Sequence, residues 1–253
     1  MAAVSPAPEL SRAIVGDGTA EARWMNWRWL ADCPSQSLDA WVSPSSRLVV
    51  VAPHPDDEIL ICGALVHQHV RRGGSCTVVA VTDGEASHPA TPQRSAAALG
   101  TIRRQERLEG LRRLGLSDPH VVRLGVADGA VQKQESELAN RLASMLLETD
   151  VVVTTWQLDG HPDHEACGRA TTAACDAVGI RCLQAPVWLW HWATPQAVSV
   201  PWHRLQALHV DADTRLRKRD ALAAHHSQLT TEPGREAILG LGIRERAVRT
   251  REH

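Results

Sequence analysis

Phenylalanine and tyrosine are absent from this 253-residue chain, so aromatic packing rests on nine Trp and the rest of the core on Leu, Val, Ile and Ala. Cysteine occurs six times, at 33, 62, 76, 167, 175 and 182, but never as C-x-x-C and never in the paired spacing of a zinc ribbon. Cys62, Cys76, Cys167 and Cys175 lie in apolar or helical contexts and read as small buried hydrophobes. A basic excess is also missing: 27 Lys and Arg against 29 Asp and Glu leave a formal net charge of −2, which argues against a dedicated nucleic-acid binder. No uninterrupted apolar run approaches the roughly 20 residues of a membrane span. No basic-plus-apolar leader is visible either, so the expected location is the cytoplasm. There is no internal repeat. Gly240-Leu241-Gly242 is not a dinucleotide fingerprint, since no strand precedes it and no third glycine follows at the required spacing.

What is present is an ordinary globular composition, 43% apolar, at a length that suits one α/β domain with a small appendage. Apolar runs at 48–52, 76–82, 120–124, 150–156, 181–190 and 204–210 read as strands. Between and after them, helical spacing is found over 59–70, 95–114, 136–147, 162–178 and 214–225. The alternation implies right-handed crossovers and a Rossmann-like three-layer αβα sandwich around a mostly parallel sheet. Residues 45–232 are expected to form this domain, after a lead-in and Trp-rich segment over 1–44 and before a tail over 233–253.

Two stretches stand out chemically. Pro53-His54-Pro55-Asp56-Asp57-Glu58 follows a strand that reads as fully buried and opens a helix, with Pro55 suited to the first helical position. Open α/β sheets place their active sites at such strand ends. His54 and Asp57, three residues apart across the turn, can bind one metal ion, while Asp56 is left free to act on a water. The second stretch, Trp156 to Glu165, follows another buried run and leads into a helix opened by Pro162. His161 and His164 are spaced i, i+3 and can face one pocket. His54, Asp57 and either His161 or His164 make a two-histidine, one-carboxylate set that leaves a position open for water.

The two motifs together, in this order, resemble the PIG-L/LmbE-like zinc deacetylases, which remove N-acetyl groups from glucosamine-type sugars. The likeness extends over roughly 48–228. It takes in Thr82-Asp83-Gly84-Glu85, Arg103-x-x-Glu106 with Leu114-Gly115, Leu124-Gly125 with Asp128-Gly129, and Lys218 with His225-x-Ser227-Gln228. The resemblance implies that His54, Asp57 and His164 are the metal ligands, with Zn2+ expected and Fe2+ suited to the same donor set. It implies that Asp56 is the general base and that His161 stabilises or protonates the transition state. Arg103 and Asp128 match positions that order the pocket or hold sugar hydroxyls, and His225 is placed near the substrate on the same ground. The implied partner is a small N-acetylated amino sugar or glycoconjugate, with neither nucleic acid nor membrane involved. Members that deacetylate mycothiol precursors carry a mobile tyrosine just before the second motif; here Asp159 stands there.

Other features have plainer readings. The charges along 95–114 read as a solvated helix face apart from Arg103, and Lys218, Arg219 and Asp220 as solvated. His88 is given no role. Trp24, Trp27, Trp29 and Trp41 suit either packing over the domain or a carbohydrate-stacking platform. The run Val187 to Trp192 suits either a strand with one buried face or a stacking wall at the pocket. Two rival functions remain at this stage: an amidase using the same metal site on a longer acyl chain or a thiol-conjugate amide, and a non-catalytic domain that binds a sugar or a partner.

Overall fold

Five strands carry the apolar runs into one sheet. In the computed structural model, which describes residues 12–92, 94–231 and 236–253, each is followed by a turn into helical or irregular chain. The N-terminal segment contributes helices α1 (Glu21–Met25) and α2 (Arg28–Asp32), a short strand β1 (Ser35–Gln36) and α3 (Leu38–Trp41). Then come β2 (Arg47–Ala52), α4 (Asp57–Arg71), β3 (Ser75–Ala80), α5 (Ala96–Leu114) and β4 (His120–Arg123). The second half runs through a 3-10 turn at Val131–Gln134 into α6 (Glu135–Ala143), then β5 (Val151–Thr155), α7 (Pro162–Val178) and β6 (Arg181–Ala185). Helix α8 (Leu189–Trp192), β7 (Ala207–His209), α9 (Ala212–Leu222), α10 (His226–Leu229), α11 (Leu241–Ala247) and β8 (Arg251–Glu252) complete it.

The main sheet has the order β4-β3-β2-β5-β6, and every pairing is parallel. The expected Rossmann-like αβα architecture is therefore present. Leu48 to Ala52 of the central strand are all buried, as a strand covered on both faces requires. Two apolar clusters lie against this sheet: one includes Val50, Ile61, Leu65 and Leu111, the other Val51, Val152, Leu138 and Cys167. The chain moves from β2 to β3 and β4 on one side, then returns to place β5 on the other. The order thus reverses between β2 and β5, and a crevice opens there at the carboxyl ends of the strands.

Several elements differ from the sequence expectation. Helix α4 begins at Asp57, and Asp56 precedes it at φ 120°, so Pro55 is not the first helical residue. The strand expected over 181–190 ends at Ala185, because 189–192 turns into α8. The stretch over 204–210 is a strand only at 207–209, and the helix expected over 136–147 ends at Ala143. Lys218 is buried, not solvated, with only 4% of its surface exposed. On α5, Arg107 is buried beside the Glu58 carboxylate, and Glu106 accepts hydrogen bonds from Ser227 N and Oγ at 2.7 and 2.6 Å.

The tail, irregular by sequence, contains α11 and the strand β8. That strand pairs antiparallel with β7, and β7 pairs parallel with β1. The start of the expected lead-in, 1–11, and the start of the expected tail at 233–235 lie outside the described residues. Trp24 is completely buried, edge-on to Trp190 at 5.1 Å, and its indole N–H donates to Trp190 O. The indoles of Trp190, Trp192 and Trp202 donate to Pro186 O, Asp159 O and Ala197 O. Each of these large rings therefore fills volume and keeps its one donor bonded. Among the described residues no helix is long and apolar enough to cross a membrane.

Candidate metal centre

The β2–α4 and β5–α7 turns meet at the crevice where the strand order reverses. His54 Nδ1, Asp57 Oδ2 and His164 Nε2 form a triangle with edges of 3.2, 3.3 and 3.3 Å. All three residues are buried. Donors at about 2.0–2.2 Å from a tetrahedral zinc ion stand about 3.3–3.6 Å apart, so the triangle has the dimensions of a metal face.

The outer nitrogens decide whether these atoms can be donors. His164 Nδ1 lies 2.9 Å from Asp159 Oδ2, and His54 Nε2 lies 3.2 and 3.3 Å from carboxylate oxygens of Asp128 and Asp163. A neutral imidazole bonded to carboxylates in this way carries its proton on the outer nitrogen and leaves the inner one as a lone pair. Both lone pairs and the Asp57 oxygen then converge, which fits a divalent cation. The electrostatics agree. Burial alone would raise the Asp57 carboxyl, but His164 and His54 hold it well below the usual carboxylate range. Burial pulls His164 down, and the carboxylates of Asp57 and Asp159 outweigh it, leaving the imidazole at about 9. Positive charge is wanted at this point.

Asp56 is buried beside the triangle, and its Oδ2 accepts from Arg103 Nη2 at 3.1 Å. Burial lifts its carboxyl to about 7, with Arg103 opposing the rise. The positive φ at Asp56 is an unfavourable backbone state for a non-glycine residue, of the kind that clusters at functional sites. His161 caps α7, and its Nδ1 accepts the Asp163 N–H at 3.3 Å. Its ring lies 5.0 Å from His54 and 4.8 Å from His164, centroid to centroid. Burial and the neighbouring imidazoles of His164 and His54 push it down to about 3, so it is neutral at ordinary pH.

The remaining residues named from the sequence divide. Asp128 adjoins His54 and accepts from Ala86 N at 2.8 Å, so it stands at the centre's edge. Arg103 is 3% exposed, and its guanidinium donates to Pro55 O, Gly84 O and Asp56, which ties two active-edge loops together. His225 has no exposed surface. It follows α9 and packs against α5, where a Cβ on Gly110 would approach its Nε2 to 2.9 Å, and so it has no solvent-facing atom to offer a sugar. Sequence reasoning missed Asp163, which accepts from Gly129 N and Val131 N at 2.7 and 3.1 Å and faces His54. Its place inside His-Pro-Asp-His was the available signal. Gly168 permits the close approach of α7 to its strand, since a Cβ there would meet Thr155 O at 2.5 Å.

Residues 49–175 match the PIG-L family profile, described as GlcNAc-PI de-N-acetylase. The chain belongs to the PIG-L family. A relative from Tsukamurella paurometabola, 1D-myo-inositol 2-acetamido-2-deoxy-alpha-D-glucopyranoside deacetylase, is 29% identical over 74% of this chain and 84% of its own. The enzyme of the same description from Mycobacterium sp. strain KMS is 33% identical over 57% of this chain, which spans about half that relative's length, 54%. Among solved structures, a deacetylase of an antimicrobial pseudoaglycone superposes with a TM-score of 0.58 at 26% identity, over 73% of this chain and 83% of that one. The family's relatives are thus sugar deacetylases, and a metal site is available here.

Proposed function

We propose that this protein is a metal-dependent hydrolase that removes the N-acetyl group from an N-acetylglucosamine-type sugar or glycoconjugate. The observation that carries the reading is the convergence of His54, Asp57 and His164 on one point, with Asp56 and His161 beside it. Zinc, or iron(II), held by these three residues would supply Lewis acidity, polarising the amide carbonyl and lowering the pKa of water towards ~7.

The chain's own residues do the rest. Asp56 takes the proton from the attacking water, and Arg103 holds that carboxylate in place through the hydrogen bond it donates to Oδ2. His161 receives a backbone N–H at Nδ1, so its own proton sits on Nε2, and it acts as a neutral donor to the developing oxyanion. The proton gained by Asp56 passes to the leaving nitrogen, and acetate and the free amino sugar depart. Asp128, bonded to His54 Nε2 and to the Ala86 amide, orders the pocket beside that imidazole or holds a sugar hydroxyl.

The reading is tested by screening N-acetylglucosaminyl compounds for amine release, with and without a chelator. Chelator-sensitive release from acetylated substrates supports it. Release only from longer acyl chains moves the function to the broader amidase class, and no release from any acceptor by the zinc-loaded protein would overturn it.

A further inference from the structure

One buried carboxylate in the second motif has no part in the proposed chemistry. Asp159 has no exposed surface, and both its oxygens turn away from the pocket-facing nitrogen of His164. Oδ2 meets His164 Nδ1 at 2.9 Å. Oδ1 accepts the backbone N–H groups of Val187 and Leu189 at 2.9 and 3.0 Å, and Trp188 N lies 3.0 Å from each oxygen. The main-chain oxygen of the same residue accepts the Trp192 indole N–H at 2.8 Å.

From this arrangement we infer that Asp159 is the positioning residue of the second metal-facing imidazole, and that it transmits to the centre the placement of the distant segment 187–192. The inference rests on His164 being a ligand, as proposed above. An imidazole offers a lone pair from one nitrogen only, and which one is set by the partner of the other. Asp159 takes the Nδ1–H, so Nε2 is left facing His54 and Asp57. A carboxylate can do this reliably only if it cannot turn itself. Three consecutive amides leading into α8 hold Asp159, two at Oδ1 and that of Trp188 at both oxygens, so the direction of the ring is fixed by backbone some 30 residues further along the chain. The Trp-rich run is thereby a brace for the centre. Its rings at Trp190 and Trp192 are buried, and its amides are what reach the site.

The test compares three variants under zinc competition with a chromophoric chelator. Asp159→Asn keeps the size and one acceptor oxygen but loses the charge that takes the His164 proton; its zinc affinity should fall by about 10–100-fold. Trp192→Phe removes the indole bond to the loop and part of the ring's packing but leaves the Asp159 carboxylate and its three amide partners in place, and should bind zinc within a few-fold of the wild type. His164→Ala should lose most of its zinc. Wild-type affinity in Asp159→Asn alongside loss in His164→Ala would overturn the positioning role alone. Retained zinc in His164→Ala would overturn the ligand assignment as well. Equal weakening in Asp159→Asn and Trp192→Phe would mean that loop packing, not the carboxylate, sets the affinity. A second measurement needs no variant: the long-range proton–nitrogen spectrum of the zinc-loaded wild type should show the His164 proton on Nδ1, and a proton on Nε2 would overturn the inference.

Discussion

The Glu252 carboxylate accepts the backbone N–H of Ala64 at 2.9 Å across 188 residues of sequence, and that of Leu65 at the same distance through its second oxygen. Helix α4 is broken at Cys62, whose φ of −153° is not helical, so the amides of the following turn have no carbonyl of their own. Glu252 caps this second start, and Lys218, crossing Gly63, pairs with the same carboxylate. The helix that presents Asp57 is therefore completed from the other end of the chain.

Removing that cap should be felt throughout the domain. Glu252→Ala leaves two amides without partners and Lys218 as a buried, unpaired cation, so a loss of about 3–5 kcal/mol is expected in urea unfolding. The double replacement Lys218→Met, Glu252→Gln should recover much of it, because the stranded charge goes with the cap. A loss under about 1 kcal/mol in the single variant would show that solvent reaches Lys218 and satisfies it.

Metal content should separate the two motif histidines. His54→Ala and His164→Ala should be purified with little zinc, whereas His161→Ala should keep it and lose kcat far more than it raises KM, as expected for a group acting in the transition state. Elemental analysis of the three proteins decides the assignment, and zinc lost from His161→Ala but kept in His164→Ala would reverse the two.

Asp56 and Asp57 should differ in the same experiments. Asp57→Asn removes an anionic donor and should weaken metal binding. Asp56→Asn should hold metal and fold, with kcat lower by at least about 10²-fold for want of a proton acceptor. Activity within a few-fold of wild type in zinc-loaded Asp56→Asn would move the base to another group.

Acid should destabilise the fold through His225. Its imidazole is buried and has no hydrogen-bond partner among the described residues, and burial, with Arg103, Arg107 and His226 repelling the charged form against a weaker pull from Asp57, lowers it to about 3. The unfolded chain takes up that proton near 6.5, so between about 6.5 and 3 it binds more protons than the native state, and stability falls as pH falls. This group contributes about 1.4 kcal/mol per pH unit well inside that window. His225→Leu should flatten the acid limb of stability measured by urea unfolding from pH 6 to 4. An unchanged limb would mean that the site opens to water.

The strand–turn–helix units carrying both motifs were legible because their signals are local. A buried apolar run, a proline and a helical period all lie within about 20 residues, and an all-parallel sheet follows from their alternation. The Trp run misled because alternating large apolar residues suit either a strand or a turn of helix, and the choice was made by the amides of 187–189 closing on Asp159. The charges of α5 misled in the same way. Arg107 looks like one more residue of a solvated face until Glu58 is placed beside it.

What the sequence by itself determined is the inventory of the candidate centre: two imidazoles, adjacent aspartates and a third histidine, each at the carboxyl end of a strand. Spacing alone left His161 and His164 interchangeable. Tertiary structure sets them apart geometrically: His164 Nε2 faces His54 and Asp57 with Asp159 behind the ring, while the Asp163 amide donates to His161. It also decided that Arg103 faces Asp56, that His225 lies inside, and that Glu252 completes α4. The reason is physical. A residue's type and local turn are set by its neighbours in the chain, but the direction of a lone pair and the partner of a buried charge are set by groups that meet only when distant segments pack.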